Sequence, residues 1–185
     1  MALEKVITPV GELLWVTHSG EGKEDLSGRL QYVATLALEG EQAEGLKMTI
    51  TNFWEEYKPK KGKKEPKSLG FKAECDADGN ETGRTLFTFK TSTTFPNGEK
   101  KVVNIYNAKG HRINLGDKKI GNGSTGRISG FMGIYEAAGQ AGVTLYLNGI
   151  QLKTFIEYNP GDNFDDISSG EEDFVTPDEN TLPEI

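Results

Sequence analysis

Hydrophobic and polar residues alternate along several short stretches of this chain, and a period of two is typical of half-buried β-strands. In one such stretch Tyr32, Ala34 and Leu36 fall on the same face. Phe87 and Phe89 alternate with polar residues in another, and we expect them in the core because phenylalanine is usually buried. The pattern predicts strands at residues 13–17, 29–38, 85–95, 101–107, 127–135 and 143–158.

Residues 41–57 change to a helical period. Their large apolar side chains are spaced 4, 3, 1 and 3 residues apart, which places them in one stripe of a helix. Pro59 ends the helix, because proline has no N–H to donate and clashes with the preceding turn. The predicted buried stripe is Leu46, Ile50, Phe53, Trp54 and Tyr57.

Turn-forming residues separate the strands. Asn97-Gly98 predicts a hairpin turn in which both residues have positive φ angles, and residues 108–110 and 121–126 predict further turns. Gly149 interrupts the last strand and indicates a bulge or bend. Many short strands with one helix after the second strand predict an all-β fold, namely the five-stranded Greek-key barrel called the oligonucleotide-binding (OB) fold. A β-sandwich is the alternative that periodicity leaves open.

The charge is unevenly distributed. The chain has 21 Lys and Arg, 28 Asp and Glu and a net charge of −7, but nine of the acids follow Asn159 and no Lys or Arg follows Lys153. Without those nine acids the remainder has 21 bases and 19 acids, a net charge of +2. We therefore expect two parts: a globular domain at 1–158, and an acidic tail at 159–185 that is disordered because it has too little apolar surface to fold.

The sequence contains no recognisable catalytic or metal-binding motif. A phosphate-binding P-loop, an H-E-x-x-H helix and a C-x-x-C pair are all absent. Cys75 is the single cysteine, and His18 and His111 are far apart in sequence. Residues 76–81 resemble the start of a calcium loop but lack its later glutamate, so a tight turn is the better interpretation. We expect no enzyme activity, no metal and no cofactor.

Basic and aromatic residues are interleaved in the second half of the chain, and this combination suits single-stranded DNA. Lysine and arginine pair with phosphates, and partly exposed tyrosines stack on bases. Residues 58–67 add a loop with six lysines and one glutamate. An acidic tail would imitate the DNA backbone and occupy such a groove, and its binding there would weaken as the salt concentration rises. The simpler alternative is a tail that only keeps the protein in solution. The candidate DNA-binding residues are Lys58, Lys60, Lys61, Lys63, Lys64, Lys90, Tyr106, Lys109, Arg112, Arg127 and Tyr135.

The order of these features resembles the single-stranded-DNA-binding proteins of T7-type bacteriophages. The resemblance is most specific at residues 84–158, where an F-x-F-K strand, an NAKG turn, a glycine-rich turn before a strand ending in tyrosine and a closing GV-x-L-x-L strand follow one another. By position, it places Lys90 at the F-x-F-K lysine, Tyr135 at the strand-closing tyrosine, and one loop lysine of 58–64 at the DNA. This chain departs from the family in ending Leu-Pro-Glu-Ile after a short tail.

The resemblance implies a protein that coats single-stranded DNA during phage replication and recombination in the cytoplasm of a bacterial host. It also implies that the acidic tail contacts replication proteins such as the polymerase or the helicase-primase. Whether the protein forms a homodimer is left open by the sequence. No membrane association is expected, since no stretch is long and apolar enough to span one. The alternative is a phage structural or assembly β-protein with a solubilising tail, and a nuclease ranks below it because no carboxylate cluster is evident.

Overall fold

The architecture follows from alternating strands that turn their apolar face inward. The computed structural model describes residues 2–60 and 65–160, and within them it contains ten strands and one helix. Their bounds are β1 Leu3–Ile7, β2 Gly11–Thr17, β3 Lys23–Glu24, β4 Leu30–Glu39, α1 Gly40–Tyr57, β5 Phe71–Cys75, β6 Glu81–Ser92, β7 Asn104–Tyr106, β8 Arg112–Ile113, β9 Thr125–Ala137 and β10 Gln140–Thr154.

Five of these strands close into a barrel. β2 pairs with β4, β4 with β6, β6 with β10, β10 with β9, and β9 with β2 again. All of these pairs are antiparallel except β6 and β10, where Leu145 lies beside Phe89 in a parallel register. This closed five-stranded ring with one helix confirms the predicted OB fold over the β-sandwich.

The barrel interior contains the predicted apolar faces. Phe87, Phe89, Leu36 and Leu145 are all almost completely buried, which confirms that the two phenylalanines are core residues. α1 follows β4 directly and closes the adjacent end of the barrel with buried residues from Ala43 to Trp54. No helix in the described ranges is long and apolar enough to cross a membrane.

Tyr57 was wrongly predicted to complete the buried stripe of α1. It is 36% exposed, and its hydroxyl donates a hydrogen bond of 2.9 Å to Glu4 Oε1 on β1. The reason is its position at the last residue of the helix, beyond the part that the barrel covers. Its ring packs in a tilted arrangement on Phe53, at a centroid distance of 4.9 Å.

The hairpin turn at Asn97-Gly98 was predicted at the correct position, but its type was predicted only partly correctly. Residues 95–99 form a hairpin in which Gly98 N–H donates to Phe95 O at 2.9 Å. Gly98 alone has a positive φ, of 85°, whereas Asn97 does not; a three-residue loop needs a single left-handed residue, and a two-residue type I′ loop needs two. The bulge at Gly149 is confirmed by the register shift after Leu147. β10 itself ends at Thr154, four residues before the predicted end.

Candidate nucleic-acid interface

A groove of about 690 Å³ crosses the outer surface of the barrel over β6 and β10. Its floor is formed by outward-facing residues of these two strands, and its walls by segments 25–31 and 68–72 and by the end of β9. In an OB fold, oligonucleotides bind to one face of the barrel and to the loops beside that face. The cationic and tyrosine side chains that line it are Arg29, Lys72, Lys90, Tyr135 and Tyr146.

The groove is predominantly cationic. Lys90 and Lys72 are exposed and make no ion pair within the described part of the chain. The one acid in the lining, Asp25, has partners within its own turn: its Oδ1 accepts hydrogen bonds from Ser27 N–H and Oγ and from Arg29 N–H at 2.7–2.9 Å. Its Oδ2 lies 3.4 Å from Nε of Arg29, whose side chain is highly exposed, so this ion pair lies at the rim of the groove. The hydrogen bonds to Oδ1 lower the pKa of Asp25 to about 2. Two unpaired ammonium groups therefore face the groove at neutral pH.

Both tyrosines of the groove pack against glycines of the neighbouring strand. A Cβ placed on Gly142 would lie 2.7 Å from Tyr135 Cε1, and one placed on Gly133 would lie 2.8 Å from Tyr146 Cε2. A side chain at either glycine would therefore displace the ring. Both rings are half-buried and line the groove, so each contacts a glycine and leaves part of its surface open to a ligand.

A second basic and aromatic cluster lies farther along β10. Tyr106 packs beside Gly149, where an added Cβ would lie 3.3 Å from Tyr106 Cε2. Arg127 Nε donates to Gln151 Oε1 at 2.6 Å, and Gln151 Nε2 donates to Asn107 and Ala108 carbonyls in the turn that carries Lys109. Gln151 lies five positions beyond Tyr146 along the strand, a distance of about 16 Å. The structure thus places Tyr106, Lys109 and Arg127 together, outside the groove.

The remaining candidates occupy three other places. Arg112 lines a separate pocket at one end of the barrel. Lys58 pairs with Glu55 at the end of α1, and Lys60 is exposed just after it. Lys61, Lys63 and Lys64 lie outside the described residues, and their contact with DNA stays a prediction.

The end of the lysine-rich segment, at Lys67, lies beside the groove. Lys67 N–H donates to Ala141 O at 2.8 Å, and Val143 N–H donates to Ser68 O at 2.9 Å. Ser68 and Val143 both line the groove. The backbone after the lysines is therefore fixed beside the groove, one residue from its wall.

Arg84 is a cation on β6 whose hydrogen bonds hold neighbouring strands together. Its guanidinium donates to Glu74 Oε2 at 2.8 Å and also to Glu12 on β2. The hydrogen bonds that Arg84 donates to Glu74 and Glu12 raise the pKa of Arg84, and they lower the pKa of Glu74. This network joins β2, β5 and β6, so Arg84 is not available to a ligand.

Sequence reasoning did not select Tyr146, Lys72 or Arg29. Tyr146 has the opposite orientation to Leu145 and Leu147 in β10, which marks it as outward-facing from the sequence alone. Nothing in the sequence places Gly133 under its ring, because that contact depends on the β9–β10 register. Lys72 and Arg29 reach the groove from the β5–β6 and β3–β4 hairpins, and the sequence pattern did not predict β5 or β3.

Comparison with known proteins gives structural neighbours only. No protein-family model matches the sequence, and no curated protein matches it. The single-stranded DNA-binding protein gp2.5 of bacteriophage T7 aligns over 95% of this chain and 100% of its own, with 18% identity and a TM-score of 0.57.

The single-stranded DNA-binding protein of bacteriophage Enc34, solved in complex with single-stranded DNA, aligns over 83% of this chain and 88% of its own. Its identity is 12% and its TM-score 0.64. The C-terminally truncated form of the Enc34 protein gives the same identity and TM-score. The resemblance seen in the sequence is thus confirmed at the level of the fold.

Proposed function

We propose that this chain binds single-stranded DNA without reading its sequence, through the groove over β6 and β10. The observation that carries the proposal is the grouping of Lys90 with Tyr135 and Tyr146, two rings that pack against glycines. Ammonium groups pair with phosphates, and flat rings stack on any base, so neither contact distinguishes one base from another.

The geometry favours a single strand over a duplex. Bases must be unstacked to meet the faces of Tyr135 and Tyr146, and only a single strand offers free base faces at low cost. The OB folds of the two phage neighbours, one of them named as a complex with single-stranded DNA, support the same ligand class.

The wider role we propose is in phage DNA replication or recombination inside the bacterial host, without catalysis. The acidic tail would compete with DNA for the groove and, once displaced, would contact basic replication proteins. Its nine acids without a single base support this part of the proposal, since a one-sign segment is attracted to a cationic groove.

Titration of labelled oligo-dT over a range of salt concentrations tests the proposal. If Lys72 and Lys90 each neutralise one phosphate, log Kd should rise with log salt with a slope of about 1.4, and with a slope of about 2 if Arg29 leaves Asp25 for a third phosphate. Lys90→Ala should lower the slope by about 0.7. Tyr135→Ala should weaken binding by roughly 1–3 kcal/mol without changing the slope.

The matched controls lie away from the groove. Lys47→Ala removes a lysine from α1, and Tyr158→Ala removes an exposed tyrosine beyond β10. Both should bind oligo-dT like the unchanged chain. A salt-independent affinity, or equal affinity for duplex DNA of the same length, would contradict the proposal.

A further inference from the structure

A second pocket, the end pocket, lies at the end of the barrel opposite α1. Its volume is about 350 Å³, which is at the small end of the range for ligand pockets. Val103, Ile105, Ile113 and Leu115 give it an apolar wall. The buried ring of Tyr32 at the start of β4 forms part of its base, with its hydroxyl donating to Gly20 O at 3.1 Å.

The end pocket is lined by cations and by no acid. Lys100, Lys101 and Arg112 belong to its lining, and no Asp or Glu does. A fourth cation, Lys119, lies behind it and donates to Ser19 Oγ at 2.6 Å. Positive charge concentrated over an apolar wall attracts an anion that also carries an apolar surface.

One buried polar atom of the end pocket has no hydrogen-bond partner among the described residues. It is Nε2 of His18, a residue that is only 6% exposed. A buried polar atom without a partner is destabilising, and such atoms call for a specific explanation in a folded protein. Asn104 and Asn114 add amide groups to the lining. Hydrogen-bonding edges, an apolar wall and cations are the three features that a nucleotide requires.

The groove and the end pocket meet at the end of β6. Thr91 lines the groove, and its Oγ1 accepts a hydrogen bond of 3.2 Å from Nζ of Lys101, which lines the end pocket. The same ammonium lies 5.2 Å from the ring centroid of Phe95, which is 49% exposed. A strand leaving the groove at Thr91 would therefore meet a cation and an exposed ring before it reaches the end pocket.

We propose that the end pocket binds one nucleotide of the DNA strand that leaves the groove. Its phosphate lies between Lys100 and Arg112, and its base lies against Ile113 and Leu115. The proposal rests on the proposed function and extends it, because it assigns Arg112 to a second contact point and lengthens the strand that one molecule covers.

The first experiment is a length series of labelled oligo-dT, from about 4 to about 16 nucleotides, the range of site sizes of OB folds. The double variant Lys100→Ala/Arg112→Ala should bind the shortest strands like the unchanged chain and long strands about tenfold more weakly. Its salt slope on long strands should fall by roughly 0.7–1.4, because one or two phosphate contacts are lost. The matched control is Lys5→Ala/Lys47→Ala, which removes two positive charges on β1 and α1 and should leave both lengths unaffected.

The second experiment locates the strand directly. A photoreactive uracil is placed at each position of a long oligonucleotide in turn, and the cross-linked peptide of the unmodified protein is identified. Cross-links to residues 111–116 from one end of the strand only, and to β6 and β9 from its middle, would support the end pocket.

The outcomes separate the two proposals. If the unchanged chain binds no oligo-dT of any length, the proposed function fails and this inference fails with it. If it binds, but the end-pocket variant matches its control at every length, or cross-links arise from the groove alone, only the end pocket is overturned.

Discussion

Two glycines determine how the groove presents its tyrosines. A Cβ on Gly133 would meet only the far ends of flexible side chains, Tyr146 Cε2 at 2.8 Å and Leu3 Cδ2 at 3.0 Å. A Cβ on Gly142 would instead lie 2.3 Å from the backbone oxygen of Ser68. An alanine at the first position is accommodated by moving a ring, whereas an alanine at the second has to move the main chain.

Gly133→Ala should therefore separate DNA affinity from stability. We expect it to lower the free energy of unfolding by about 1 kcal/mol or less, because side chains alone adjust, and to weaken oligo-dT binding by roughly 1–3 kcal/mol as the Tyr146 ring moves. Gly142→Ala should cost about 2–3 kcal/mol of stability. Urea denaturation and oligo-dT titration of both variants measure this, and unchanged affinity in a well-folded Gly133→Ala would remove Tyr146 from the site.

His18 should make the stability of the fold depend on pH. Burial, and then the nearby Lys119 ammonium, lower its pKa below the ordinary value of about 6.5. In the unfolded chain His18 takes up a proton as the pH falls through about 6.5, while in the folded chain it stays neutral to lower pH. The stabilisation is thus complete above pH 6.5 and is lost as the pH falls below it.

Urea denaturation between pH 7.5 and pH 5 measures this effect. The unchanged chain should lose stability over this range, and His18→Gln should lose less, since Gln takes up no proton. His111→Gln is the matched control, because His111 is exposed in the turn after Asn107. An identical pH dependence in His18→Gln and in the unchanged chain would show that the histidine is not responsible.

At the scale of elements, local periodicity predicted the parts that build the barrel. The strand expected at 29–38 is Leu30–Glu39, and the helix expected at 41–57 is Gly40–Tyr57. These elements bury a continuous apolar face, so their spacing carries the information. β1, β3, β5 and β8 were not predicted. They are short, with mostly exposed residues, and exist because a neighbouring strand offers hydrogen bonds.

The sequence predicted which types of residue form the site, but it did not predict which of them lie together. β10 pairs in parallel with β6 through Leu145 and Tyr146, and then with β7 through residues 149–151. Lys90 of β6 and Tyr106 of β7 therefore lie beside different parts of one strand. The sequence shows that both face outward, but it contains no local signal for where β10 changes partner. That change is what separates the groove from the cluster around Gln151.

The hairpin between β9 and β10 offers a test of turn chemistry. Its two loop residues, Ala138 and Gly139, have φ angles of 51° and 73°, the pattern of a type I′ turn. Alanine is strained there, whereas asparagine is favoured. Ala138→Asn should therefore raise the free energy of unfolding by roughly 0.5–1 kcal/mol. A decrease in the urea midpoint would contradict this account of the turn, for which Ala108→Asn is a control at an exposed turn residue without positive φ.

At the scale of the whole molecule, the sign of the net charge conceals the property that matters. The chain as a whole carries −7, whereas the residues before the nine tail acids carry +2. Over distances of about 8–10 Å, the range of electrostatic interactions at physiological salt, a DNA strand in the groove responds to Lys90, Lys72 and Arg29 and not to the total. The cations of the groove therefore favour DNA binding, whereas the nine tail acids oppose it.

Removal of residues 161–185 should increase the affinity for oligo-dT at low salt, because DNA no longer competes with a polyanion attached to the same chain. The increase should shrink as salt rises, since both interactions are screened. A full-length chain in which the nine tail acids are replaced by Asn and Gln is the matched control, and it should gain as much affinity as the truncated chain. If the truncation gains affinity and the neutralised tail does not, the tail obstructs the groove by its bulk. If the truncation binds more weakly, the tail supports DNA binding and does not compete with it.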